Sequence, residues 1–84
     1  MDESLSAWFA REVLPHEAML MRYLGRLCGG REDLYDLRQD IYVRIYEMAR
    51  ARRPAPVRPV LLTIARNLVI DRTRHHRVVS IQPA

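Results

Sequence analysis

Eighty-four residues, 49% of them apolar and 29% charged, make one domain with a modest core and leave no room for a second. The charges are mixed in sign, which argues against disorder, and no apolar run approaches the roughly eighteen residues of a membrane span. The net charge of +4 hides a split: residues 1–49 hold six Arg against nine acids, net −3, and residues 50–84 hold eight Arg against one acid, net +7. A basic half of this kind predicts a polyanionic partner. The acidic N-terminus, MDESLSAWFARE, has no basic start or long apolar stretch and does not read as a secretory signal. The single cysteine, Cys28, forms no internal disulfide and fits a reducing, cytoplasmic compartment.

The elements follow in chain order. Ser4 caps a short first helix whose apolar positions are Leu5, Trp8, Phe9 and Val13. Pro15 breaks or restarts it, because proline restricts the residue before it and suits a first helical position. The second helix runs to about Cys28 with Leu20, Tyr23, Leu24 and Leu27 on one face, and Gly29-Gly30 ends it. The third spans about Arg31 to Arg52. Its core stripe is Leu34, Leu37, Ile41, Ile45 and Met48, with Glu32 and Asp33 at its positive end. Residues 53–59 hold three prolines and cannot be helical. The last helix starts near Pro59 and runs to about His76, with Leu61, Ile64, Ala65, Leu68 and Arg72 inward. Val78 to Ala84 reads as tail. The fold class is all-α: a compact bundle of three to four helices with a Pro-rich loop before the last.

Two helix faces exceed what a core needs. On the third helix Tyr35, Tyr42 and Tyr46 fall together beside Gln39 and Val43, followed by Asp36, Asp40 and Glu47. Aromatics beside a few charges mark a protein interface better than a solvated face does. On the last helix Thr63, Arg66, Asn67, Ile70, Thr73, Arg74 and Arg77 share the solvent side. Arginines position a phosphate backbone, and Asn67 carries the donors and acceptor that read one base edge. Ile70 offers an apolar contact in the same strip. Arg52, Arg53 and Arg58 stand around the stiff proline loop, which can wall a pocket for an unstacked base. Asp71 is read as structural and paired with an arginine. The adjacent His75 and His76 cannot share a helix face, and no metal site or cofactor is expected. No nucleophile–base pair, Gly-rich phosphate loop or carboxylate dyad points to catalysis.

Two motifs in this order, Asp36-Leu37-Arg38-Gln39-Asp40 and Ile64-Ala65-Arg66-Asn67, resemble conserved region 2 of bacterial sigma-70 family sigma factors. The likeness is nearest to the extracytoplasmic-function group and covers roughly Leu14 to Arg77. It implies a non-enzymatic domain that binds core RNA polymerase and reads and opens the promoter −10 element. It further implies that the first motif docks on the clamp helices of the largest polymerase subunit. By position, Asp36, Gln39 and Asp40 make polar contacts, and Tyr42 and Tyr46 supply buried area, with Val43 on the same face. The second motif implies that the proline loop and Asn67 enclose a flipped base of the non-template strand. Two departures stand out. Asp40 replaces the usual Glu, and no aromatic residue follows Glu47 to wedge between bases. The resemblance makes residues 1–77 the region 2 domain and 78–84 the start of an interdomain linker, with the −35-reading domain absent. It also implies a possible anti-sigma partner.

Two rivals stand beside this reading. One is a stand-alone regulator gripping duplex DNA as a helix-turn-helix does, against which the long proline-rich connection counts. The other is a protein-interaction module, against which the spare basic face counts.

Overall fold

The structure is a computed structural model and describes residues 3–30 and 32–81, with side chains through residue 74. It is all-α: α1 (Leu5–Glu12), a 3₁₀ turn (Leu14–His16), α2 (Glu17–Cys28), α3 (Leu34–Ala51) and α4 (Val57–Ile81). The punctuation is local chemistry. The Ser4 hydroxyl accepts from Ala7 N–H at 3.1 Å to start α1. Pro15 sits inside the 3₁₀ turn that links α1 to α2. Gly29 closes α2 at φ 57°, a left-handed position that glycine adopts without strain. Asp33 caps α3 by accepting from Tyr35 N–H at 3.0 Å and Asp36 N–H at 3.3 Å. The third helix therefore begins at Leu34 rather than Arg31.

Residues 57–59, expected to be non-helical, already belong to α4, because Pro59 falls in its first turn, where a missing N–H has no helical partner to lose. That helix continues to Ile81, five residues past the expected end, so the segment from Val78 is helical rather than tail. Between Pro59 and Pro83 no glycine or proline interrupts it.

α3 and α4 pack on each other and both pack on α2, while α1 lies against α3. The core gathers Trp8, Val13, Leu20, Leu24, Cys28, Leu37, Ile41, Ile45, Ala49, Val57, Leu61, Ile64, Ala65 and Leu68. One expected member is missing. Met48 is 44% exposed, and Ala49 is buried instead. The stripe on α3 keeps stepping by four after Ile45, so Met48 rotates towards an open groove beside the loop at residues 52–56.

Candidate functional site

The α3 face is partly occupied from within. Tyr42 and Tyr46 are half-buried under α1: the Phe9 ring meets Tyr42 edge-on at 5.2 Å and Tyr46 at 5.9 Å. The Tyr42 hydroxyl donates to Glu17 Oε1 at 3.0 Å, and Arg38 donates to the same oxygen at 3.1 Å. Burial first, and then the bond to Glu17, push the Tyr42 pKa up to about 12, so the hydroxyl stays a donor at neutral pH. Tyr35 parts from the other two rings. It is 67% exposed, and its ring lies 5.3 Å from the Arg38 guanidinium carbon. Gln39 and Val43 are exposed between these groups.

Asp36 and Asp40 are held by Arg72, which reaches across from α4. Its Nη1 donates to Asp36 Oδ2 at 2.9 Å, its Nη2 donates to Asp40 Oδ2, and Glu32 Oε2 lies 3.9 Å from Nη1. Asp36 and Asp40 lie four residues apart on one side of α3, and Glu32 stands just before the helix cap. Sequence reasoning placed Arg72 inward but assigned the ion pair to Asp71. The structure reverses this: Asp71 is exposed and makes no ion pair among the described residues. Burial along α4 fades after Leu68. One turn on, only the residue on the core line still reaches α3, and that residue is Arg72. The signal was available, since an arginine ending an apolar stripe needs a carboxylate partner.

The α4 face is open. Thr63, Arg66, Asn67, Thr73 and Arg74 are exposed and Ile70 is half-buried, while the Arg77 side chain lies outside the described residues, as do those of His75 and His76. Among the described residues, Arg52, Arg58, Arg66 and Arg74 are exposed and make no ion pair. Arg53 differs, because its guanidinium donates to the Glu3 carbonyl and ties the loop to the start of α1.

Between the loop and α4 lie two adjoining shallow grooves that share Met48 and Val60. The smaller, about 370 Å³, is lined by Met48, Pro59, Val60, Thr63, Ile64 and Asn67. The larger, about 540 Å³, is lined by Met48, Ala51, Arg52, Arg53, Pro54, Ala55 and Val60. An apolar floor with one amide and a few arginines at the rim suits a planar, partly polar group on an anionic chain. Among the described residues no three His, Cys, Asp or Glu cluster as metal ligands, and no helix is long and apolar enough to cross a membrane.

The described residues thus form a helical bundle with one acidic-amide helix face and one basic, groove-edged helix. The family model described as sigma-70 region 2 matches residues 13–78, and the chain belongs to that family. Region 2 is a non-enzymatic part of sigma factors that serves RNA polymerase binding and promoter recognition. No match was found among curated proteins or among solved structures.

Proposed function

We propose that this chain is the polymerase-binding and −10-reading domain of an extracytoplasmic-function sigma factor, acting in the cytoplasm. The α3 face carrying Asp36, Gln39, Asp40 and Val43 takes the clamp helices of the largest polymerase subunit, and the exposed edges of Tyr42 and Tyr46 extend it. The α4 face carrying Thr63, Arg66, Asn67, Ile70, Arg74 and Arg77 takes the non-template strand of the −10 element, with Arg52, Arg53 and Arg58 on the loop side. An anti-sigma factor would compete for α3, where Tyr35 and Val43 are the most exposed large apolar residues.

The observation that carries this reading is the placing of Asn67. It lines an apolar groove with Met48, Pro59, Val60, Thr63 and Ile64, and the exposed Arg66 precedes it on the same helix. An amide at the rim of an apolar groove reads a base that has left the stack, whereas duplex readout needs the amide on a protruding helix face. The test is a binding titration with one sequence in two forms. A single-stranded −10-type non-template oligonucleotide is expected to bind more tightly than its duplex, because opening the duplex costs about a few kcal/mol per base unstacked. A preference for the duplex would overturn base capture and favour a helix-turn-helix mode.

A further inference from the structure

We propose that Arg72 is a positioning residue for polymerase binding: from the DNA-facing helix it grips one oxygen each of Asp36 and Asp40 and leaves their second oxygens to the polymerase. The proposal rests on reading α3 as the polymerase-binding helix.

Asp36 and Asp40, four residues apart on one side of α3, repel each other, and Glu32 just before the helix adds a third negative charge. Left alone, Glu32, Asp36 and Asp40 would splay, each in several rotamers, and a partner would have to order them on binding. Arg72 removes that freedom. It lies one turn beyond Leu68 on the core line of α4, so its stem follows apolar surface while its head emerges among the acids. Its side chain is only 26% exposed, and hydrogen bonding to Asp36 raises its pKa against the opposing effect of burial.

The two bonds leave from different nitrogens of one rigid plane and end on two different residues, Asp36 Oδ2 and Asp40 Oδ2. That fixes the spacing between the acids as well as their charge. A lysine can donate to both acids but has no rigid planar fork to fix their spacing. No hydrogen bond engages Oδ1 of either acid among the described residues, and both side chains stay well exposed. A partner therefore meets two pre-set acceptors, with the exposed Gln39 between them in sequence.

The full chain, carrying a dye on its N-terminus, is titrated with core RNA polymerase. The variants are Arg72→Met, Arg72→Lys, Asp36→Asn with Asp40→Asn, and that pair combined with Arg72→Met. Circular dichroism confirms the helix content of each. Arg72→Met keeps the stem and loses the fork, and it is expected to weaken core binding by about tenfold. Arg72→Lys recovers only part of the loss. The double Asn variant also weakens binding, and adding Arg72→Met to it costs much less than Arg72→Met costs in the wild type, because Arg72 acts mainly through the charges of those acids. Binding by Arg72→Met as tight as wild type or tighter overturns the proposal, as does a full further loss in the combined variant. Full affinity in the double Asn variant removes the polymerase-binding reading of α3 itself, and the proposal with it.

Discussion

Replacing Ile41 by alanine is expected to destabilise the domain by about 2–5 kcal/mol, seen as a lower denaturant midpoint with an unchanged slope. Ile41 is fully buried in the middle of α3, the helix that α1, α2 and α4 all touch. Removing three of its carbons leaves a void between elements that cannot close without shifting α3. A chain of 84 residues holds only about 4–13 kcal/mol of stability in total, so this one change takes a large share of it. It also strikes both faces together. α3 carries Asp36 and Gln39 outward and, through Arg72, helps fix α4. A variant losing under 1 kcal/mol would mean that this centre is not tightly packed.

The second large effect separates reading from positioning on α4. Asn67→Ala is expected to cost roughly 1–3 kcal/mol on the cognate single strand and much less on a strand changed at one base. Its salt slope should hold, because no charge is lost. Arg66→Ala and Arg74→Ala should weaken binding to both strands alike and reduce the salt slope by about one each. Both arginines are exposed and make no ion pair or side-chain hydrogen bond among the described residues, so neither change breaks one there. The measurement is a titration at several salt concentrations on two oligonucleotides. Equal weakening of both strands by Asn67→Ala would move the reading function to the loop at residues 52–56.

Much of the architecture was legible because the chain punctuates itself. Pro15, Gly29-Gly30 and the prolines at 54 and 56 each interrupt the helical run, and the stripes between them follow the helical period. What failed was set by neighbours. Met48 and Ala49 lie one residue apart, and only the direction of the groove decides which is buried. Asp71 and Arg72 also adjoin, and the end of the packed core chose between them. Tyr35, Tyr42 and Tyr46 share a helix face, but Phe9 of α1 covers only two of them. The composition of both outer faces was visible in advance. The pairing of Asp36 and Asp40 with Arg72 was not, since it joins residues more than thirty positions apart.

That pairing also changes how the polymerase interface should be probed. Alanine at Asp36 or Asp40 alters an internal ion pair as well as an outer surface. Gln39 is exposed and its side chain makes no hydrogen bond among the described residues, so its removal isolates binding. The direct test is a titration of core RNA polymerase with wild-type chain and with Gln39→Ala. Unfolding stability should stay within about 0.5 kcal/mol. Core affinity should fall about three- to tenfold, as expected for one lost interfacial hydrogen bond. Wild-type affinity in the folded Gln39→Ala chain would contradict the assignment of this α3 face to the polymerase.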